Sequence, residues 1–209
     1  MYHITWTDVD EEDVPRLLAD INQEMEDGGF DPSETTIQRH ELPFYADLEL
    51  MLVTDESADP VLEKKVLYSE DKVYILNWTN QPIYTANEEA PIMVNEDLAP
   101  LYSKFFFDHV RGRHGRFMIV EDADEIDWSE EPPEEGKKSI NDMITPVEVY
   151  ETSDEGKISM SSYMIFKDSL FKANIHLEKD GMVSLSDEAL IVEGMPVNED
   201  PAPGDKIAE

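Results

Sequence analysis

The sequence of 209 residues has no cysteine, few basic residues and no long apolar segment. Without cysteine, the chain cannot form disulfides, supply a thiol nucleophile or bind a metal through thiolates. No stretch approaches the roughly 18 apolar residues that a membrane-spanning helix requires. The first residues, MYHITWTDVDEED, lack the basic and apolar regions of a secretory signal. These absences predict a cytoplasmic protein that has no membrane partner.

Positive charge is scarce: 16 Lys and Arg face 49 Asp and Glu, which gives a formal net charge of -33. A field of this sign repels nucleic acids and anionic membranes, and it attracts basic proteins and cations. Adaptation to high salt also enriches acids, but 11 lysines outnumber 5 arginines and 15 isoleucines are present, which fits that explanation poorly. Solubility alone needs far less charge. The charge therefore predicts a basic protein partner and no direct binding of nucleic acid.

The apolar pattern predicts an α+β fold, mainly antiparallel sheets of short hairpin-connected strands with two principal helices. Apolar residues recur at helical spacing in about residues 10–28 and 95–110. Short apolar segments between turn residues predict strands in residues 42–94 and after Pro146, and the segments near 81–94 are expected at a sheet edge. The apolar segment RFMIVE, residues 116–121, predicts a central strand. The 8 Phe, 8 Tyr and 3 Trp are enough for a packed core.

Composition changes along the chain predict four parts. Residues 1–120 form an N-terminal α+β part, and residues 121–145, with many acids and a Pro-Pro pair, form an acidic linker or surface loop. Residues 146–197 form an antiparallel β part that we expect to pack on the first part as one globular unit. Residues 198–209 are polar and proline-rich, which predicts a flexible tail.

The segment HVRGRHGRF, residues 109–117, holds three of the five arginines and two of the five histidines. It follows the second predicted helix, where the helix dipole favours positive charge and where either glycine can adopt a left-handed cap. One interpretation is a structural clamp in which Arg111, Arg113 and Arg116 pair with the helix end and with the acids that follow. The other is an anion site, which the net charge of -33 disfavours at long range. We predict the clamp.

Patterns for metal binding and catalysis are weak. The five histidines have no tight metal-binding spacing, and the pair His109 and His114 would need a third ligand. The acidic segment DADEID, residues 122–127, lacks the glycine and the final glutamate of a calcium-binding hand. Serine hydrolase, P-loop and dinucleotide-binding motifs are absent from the sequence. We therefore predict no cofactor, no metal and no enzyme activity.

A small metal-dependent hydrolase or nuclease is the alternative. The acid Asp59 followed by Glu63 and Lys65 resembles the acid…Glu-x-Lys core of metal-dependent restriction-type nucleases, and Asp47 or Asp55 could replace Asp59. In such a core two carboxylates hold the metal while the lysine steadies the attacking water. Glu-x-Lys arises readily by chance in so acidic a chain, and the sequence lacks the basic patch that DNA binding needs.

The acids are concentrated in two segments. Residues 1–36 contain eleven Asp and Glu with one arginine, and residues 121–135 contain nine with no basic residue. We predict a non-catalytic interaction protein that binds the basic surface of a protein partner as an inhibitor, an immunity-type protein or an accessory subunit, a nucleic-acid mimic included. A third reading is a subunit whose acidity only keeps it soluble. The predicted partner-binding residues are Trp128, Glu130, Glu131, Glu134 and Glu135. Trp128 is the apolar anchor that specificity requires, and it fits equally the pinning of its loop to the protein body.

Overall fold

The computed structural model describes residues 2–26, 28–112 and 114–198. Helix accounts for 21% of the chain and strand for 35%, and every strand pair is antiparallel, which confirms the predicted α+β class. In this described part of the chain, no helix is long and apolar enough to cross a membrane.

The described residues form two compact units. The N-terminal unit contains residues 3–77 and 81–93, and the C-terminal unit contains residues 2, 78–80 and 94–198. Residues 94–120, predicted in the N-terminal part, belong in the structure to the C-terminal unit. The predicted tail lies outside the described residues from position 199 onward.

The N-terminal unit is a five-stranded sheet with two helices. The strands are hydrogen-bonded in the order in which they occur in the sequence, so the sheet is an antiparallel meander. The elements are β1 Thr7–Asp8, α1 Val14–Gln23, β2 Thr35–Glu41, β3 Glu49–Asp55, β4 Leu62–Ser69, β5 Lys72–Ile75 and α2 Gln81–Glu89.

Helix α1 provides the apolar face that covers the core of this unit. Its apolar residues recur at helical spacing, so they lie on one side and are buried: Val14, Leu17, Leu18 and Ile21. They pack in one cluster with residues of the sheet, among them Ile37 of β2 and Val53 of β3. The helix is shorter than the predicted 10–28, because residues 11–13 form a turn before it begins.

Two elements of this unit differ from the prediction. Residues near 81–94 were expected to be edge strands, but Gln81–Glu89 is helix α2, with Ile83, Ala86 and Asn87 buried on one side. Spacing of three and four residues is that of a helix face, whereas a strand would alternate. Strand β2 was not predicted, and it pairs with β3 over its whole length.

The C-terminal unit is also built on a five-stranded antiparallel sheet. The strand order is β10-β9-β8-β6. Strand β6 pairs with residues 163–166 of β8, and β7 pairs with residues 158–161 of the same strand. The elements are α3 Ala99–His109, β6 Phe117–Val120, a 3₁₀ turn Ala123–Glu125, α4 Glu134–Asn141, β7 Glu148–Thr152, β8 Ile158–Phe166, β9 Ser169–Leu177 and β10 Val183–Val192.

Strand β9 shows how the sequence pattern sets this sheet. Ala173, Ile175 and Leu177 are at most 2% exposed, and the residues between them face the other side. The prediction of a central position for residues 116–121 was wrong, because β6 pairs only with β8 among the described residues. Its apolar character comes instead from packing against helix α3.

Helix α3 lies within the predicted range of 95–110. Tyr102 and Phe105 are fully buried, while Leu101 is exposed. The predicted left-handed glycine cap is absent at its end, since the C-cap residue Val110 is extended with φ -119° and ψ 137°.

The segment 121–145, predicted as an acidic linker or surface loop, contains regular structure and part of the core. The 3₁₀ turn and α4 lie within it, and four of its residues are buried: Ala123, Ile126, Ile140 and Ile144. They join a cluster with Ile165 and Leu170 of the β8–β9 hairpin. Apolar residues spaced widely among acids therefore anchor this segment to the C-terminal unit.

Candidate functional site

Trp128 lies at the centre of the acidic segment 121–135 and is half-buried. Its indole Nε1 donates a hydrogen bond of 3.0 Å to the carbonyl oxygen of Ala123. The ring packs against the buried cluster that includes Ile126. A buried indole normally satisfies its N–H in this way. These contacts support the pinning role among the two roles predicted for Trp128.

The backbone around Trp128 is fastened to the end of the described chain. Trp128 forms an isolated antiparallel bridge with Val197. The Ser129 N–H donates to the Pro196 carbonyl at 2.9 Å, and the Asn198 N–H donates to the carbonyl of Asp127 at 2.8 Å. The acidic segment is thus held at its middle, and the acids beyond residue 129 project from a fixed point.

The four predicted partner-binding glutamates, Glu130, Glu131, Glu134 and Glu135, are all exposed. Two of them, Glu134 and Glu135, are in the first turn of α4, where the helix dipole favours negative charge. Lys137 of α4 lies 2.5 Å from Asp124 and 3.3 Å from Glu131. Asp124, with Glu131 second, raises the pKa of Lys137. The structure therefore offers an acidic surface whose charges are only partly neutralised from within.

The basic segment is packed on Trp78. The Arg111 N–H donates to the Trp78 carbonyl at 2.7 Å, and the guanidinium carbon of Arg116 lies 6.0 Å from the Trp78 ring centroid. Arg116 also donates to the sulfur of Met118 at 2.8 Å and to the carbonyl of Asp108, near the end of α3, at 3.5 Å. The contact with α3 is one of the two that the clamp interpretation predicts, and pairing with the acids that follow stays a prediction. Arg113 lies outside the described residues.

The same segment lines a small cavity. The cavity has a volume of about 80 Å³, and its walls combine the basic segment with the turn between β8 and β9. The lining residues are Arg111, His114, Gly115, Arg116, Met118, Lys167 and Asn198. His109, the other histidine of the segment, is not among them, because it is buried in α3 and its Nδ1 donates to the Phe105 carbonyl at 2.7 Å.

The residues of the alternative hydrolase reading lie around the β3–β4 connection. Glu63 and Lys65 are two apart on β4, so they share one face of the sheet, opposite Thr54 and Leu52 of β3. Asp59 is exposed in the connection that precedes β4. Across the residues that the structure describes, no group of three or more His, Asp or Glu side chains is placed to hold a metal ion.

An acidic cavity that was not predicted from the sequence forms a groove in the N-terminal unit. It has a volume of about 800 Å³, and two arginines, Arg16 and Arg39, are outnumbered by acids on its walls. The acids are Asp8, Asp10, Asp13, Glu41, Asp47, Glu49 and Glu70. We call this cavity the acidic groove.

Strand register creates the acidic groove. Glu41 at the end of β2 is directly opposite Glu49 at the start of β3, and Glu49 is opposite Tyr68 of β4. Like charges directly opposite each other on neighbouring strands lower stability. The fold therefore holds two carboxylates together at some cost, and a positive group between them would relieve that repulsion.

The floor of the acidic groove is apolar and aromatic. Leu17, Leu42 and Leu48 are at most 4% exposed and line it together with Tyr45 and Tyr68. A floor of this kind keeps water away from one side of a bound group, which strengthens its attraction to the carboxylates. The groove can thus receive a cation carried on an apolar stem, as in lysine and arginine side chains.

Tyr68 connects the floor to helix α1. Its hydroxyl donates to Asp20 at 2.9 Å, while the Arg16 guanidinium donates to that hydroxyl at 3.5 Å. Burial, with the neighbouring Asp20 second, raises the pKa of Tyr68. The phenol therefore stays protonated in the neutral range and offers a fixed oxygen in the groove wall.

Comparison with known proteins adds no assignment, since no protein-family model, no curated protein and no solved structure matches this chain. Any function must therefore rest on the chain's own residues. Two features have the geometry of a binding site. One is the acidic groove, whose acids come from separated segments, and the other is the small basic cavity near Trp78.

Proposed function

We propose that this chain is a non-catalytic acidic binding protein that engages the basic surface of a protein partner. The acidic groove is the observation that carries the proposal, because seven carboxylates and two guanidinium groups surround about 800 Å³ over an apolar floor. A net charge of -33 adds long-range attraction for a cationic partner. The acidic groove and the net charge both favour lysine and arginine side chains of the partner over anionic ligands.

The partner in this proposal inserts one or more basic side chains into the acidic groove. The carboxylates of Glu41 and Glu49 supply charge at its wall, and the buried leucines supply contact for the aliphatic stem. Charge-assisted hydrogen bonds are about twice as strong as neutral ones, so a seated guanidinium would anchor the complex. Charge alone gives a fast encounter, and the shaped floor gives the specificity.

The acidic segment is a second surface of the same sign. Its four exposed glutamates lie beyond the fixed point at Trp128 and suit contact at the rim of an interface. An inhibitor, an immunity-type protein and an accessory subunit all fit such surfaces, as does a mimic of nucleic acid whose acids occupy a basic groove. Direct binding of nucleic acid is not part of the proposal, because the phosphate backbone needs clustered basic residues.

The test compares two variants with equal loss of charge. In Glu41→Gln/Glu49→Gln the acidic groove loses two carboxylates, and in Glu56→Gln/Glu88→Gln two exposed glutamates are removed elsewhere in the same unit. A fluorescent lysine decapeptide is the probe, titrated at constant low salt. We expect the groove variant to bind at least roughly tenfold more weakly than wild type, since each charged contact is worth about 1.5–3 kcal/mol. The matched variant should change affinity far less.

Equal weakening by the two variants would contradict the proposal, because it would show that net charge alone attracts the peptide. Absence of binding by wild type at low salt would contradict it as well. A duplex DNA of similar length serves as the anionic probe, and we expect no saturable binding of it.

A further inference from the structure

Positive charge collects at one place in the C-terminal unit of a chain that has little of it. Three of the 16 Lys and Arg, together with His114, line the cavity of about 80 Å³ described above. Arg111 and Arg116 come from the segment after α3, and Lys167 comes from the turn between β8 and β9. Basic residues 51 to 56 positions apart in the sequence thus line one cavity.

Phe166 holds the two walls of this cavity together. Its ring stacks on Phe117 with centroids 4.5 Å apart, and the ammonium of Lys167 lies 5.6 Å from its centroid. Gly115 packs so closely on the ring that a Cβ there would lie 3.1 Å from it. The Lys167 ammonium and the backbone at Gly115 are therefore both placed against this aromatic pair, which brings the two walls of the cavity together.

The backbone at this cavity is strained. In the described residues, three non-glycine positions have a left-handed φ: Lys167 with φ 54° lines the cavity, and Trp78 with φ 69° contacts two of its lining residues, while the third, Asp187, lies elsewhere. Trp78 carries Arg116 on its ring and accepts the Arg111 N–H. Strain of this kind persists where surrounding structure enforces it, and it clusters at binding sites.

We propose that this cavity binds a compact, doubly charged oxyanion, namely phosphate or the phosphate group of a small phosphomonoester. A volume of about 80 Å³ matches two or three water molecules at roughly 30 Å³ each, which leaves room for one tetrahedral group. Guanidinium groups form a rigid fork that suits phosphate oxygens. Two guanidinium groups and one ammonium line the cavity and favour a compact anion, whereas a long polyanion would meet the net charge of -33.

This site is separate from the acidic groove, and the two proposals can fail independently. The groove attracts cations and lies in the N-terminal unit, whereas the cavity takes an anion and lies in the C-terminal unit. The decapeptide titration tests only the first, and a phosphate titration tests only the second.

The experiment uses the full chain labelled with ¹⁵N and follows backbone and indole signals while inorganic phosphate is added at constant ionic strength. We expect saturable shifts of residues around Lys167, which lines the cavity, and of the Trp78 indole, whose ring lies 6.0 Å from the guanidinium carbon of the lining residue Arg116. Titration with phosphoserine tests whether the cavity accepts a phosphate group that is part of a small molecule. Titration with acetate, a monoanion, tests whether binding requires a dianion. Saturation with phosphoserine would identify an ester-linked phosphate, and saturation with phosphate alone would identify the free ion.

Two variants separate binding from folding. In Lys167→Gly the ammonium is lost while the left-handed backbone is relieved, so the thermal midpoint should stay equal or rise. We expect its phosphate affinity to fall roughly fivefold, as for a single exposed charge. Arg111→Gln should weaken binding roughly tenfold or more. Lys172→Gln removes an equally exposed lysine of the same hairpin that does not line the cavity.

The proposal is overturned if wild type shows no saturable shifts with millimolar phosphate. It is also overturned if Lys172→Gln weakens binding as much as Lys167→Gly, since that pattern reflects a general change of charge. Acetate that saturates the cavity as tightly as phosphate would contradict the preference for a dianion.

Discussion

At the scale of single residues, the acidic segment is held by a few partly buried groups, one of which is a charged pair. Trp128 bonds to the Ala123 carbonyl through Nε1, and Glu121 pairs with Lys104, whose side chain is 11% exposed. Glu121 also accepts a 3.0 Å hydrogen bond from the Val147 N–H through its other oxygen. These contacts fix both ends of the turn from which the exposed acids project.

Replacing Trp128 by phenylalanine should destabilise the protein without reducing its affinity for the lysine decapeptide. Phenylalanine keeps much of the ring packing but cannot donate to the Ala123 carbonyl, which costs about 1–2 kcal/mol. Urea unfolding measures the first effect and the peptide titration the second. Unchanged stability together with lost affinity would instead make Trp128 the anchor of the interface.

Glu121 should make stability depend on pH in the acid range. Burial alone raises the pKa of Glu121, but the hydrogen bonds from Lys104 and the Val147 N–H outweigh it and leave the pKa below its ordinary value of 4.5. A carboxyl with a lowered folded pKa stabilises the fold above its ordinary pKa, and that contribution disappears as the pH falls through the folded value.

Glu121→Gln should therefore be less stable than wild type near pH 7, by about 2 kcal/mol. The difference should shrink as the pH falls below 4.5. Urea unfolding of both proteins across this range gives the difference directly, and Glu130→Gln, at an exposed position, is the matched control. A difference that stays constant from pH 7 down to about pH 3 would refute the pairing.

At the scale of elements, the sequence predicted strands better than helices. Strands β3, β4, β8 and β9 lie in the ranges where strands were predicted, because short turns bound their apolar segments. Helix α2 was missed because Ile83, Tyr84 and Thr85 resemble a strand, although Ile83, Ala86 and Asn87 form its buried side. In β2, the segment TTIQRHE has a single aliphatic residue, so its pairing with β3 was invisible in the sequence.

The missed strand explains why the acidic groove could not be predicted. Glu41 and Glu49 are eight positions apart, and only the β2–β3 register places them opposite each other. Without β2 in the prediction, Glu41 and Glu49 cannot be distinguished from ordinary surface acids. The small basic cavity was half visible: the arginines were identified, but Lys167 joins them only through the pairing of Phe117 with Phe166.

Glu41→Gln should stabilise the protein while it weakens peptide binding. Removing one of two facing carboxylates relieves cross-strand repulsion, which is worth up to about 1 kcal/mol. Thermal unfolding at low salt should show a higher midpoint, and added salt should reduce the gain because it screens the repulsion. A lower midpoint would mean that Glu41 makes a stabilising contact and that the groove carries no stored repulsion.

At the scale of the whole molecule, charge was the property that the sequence predicted most directly, and its distribution was not. A charge of -33 sets the sign of the partner, whereas the acidic groove and the basic cavity depend on segments brought together by folding. Charge on exposed acids contributes to the rate of encounter more than to the final contact.

The exposed glutamates of the acidic segment should act in this way. Reversal of Glu130, Glu131, Glu134 and Glu135 to lysine should slow association with the lysine decapeptide without unfolding the protein, because all four are exposed. Circular dichroism checks the fold, and rapid mixing gives the rate. An unchanged association rate would limit the binding surface to the N-terminal unit.

The salt dependence of the association rate is the most direct test of whether the acidic groove binds basic side chains. Stopped-flow mixing with the lysine decapeptide gives the association rate from about 20 mM to 500 mM NaCl, over which the screening length falls from roughly 20 Å to roughly 4 Å. For wild type and for the control variant Glu56→Gln/Glu88→Gln, we expect an association rate that falls steeply with salt. For the groove variant Glu41→Gln/Glu49→Gln, we expect a slower rate that depends less on salt. A wild-type rate that stays flat across this range, or groove and control variants that cannot be told apart, would contradict the proposal.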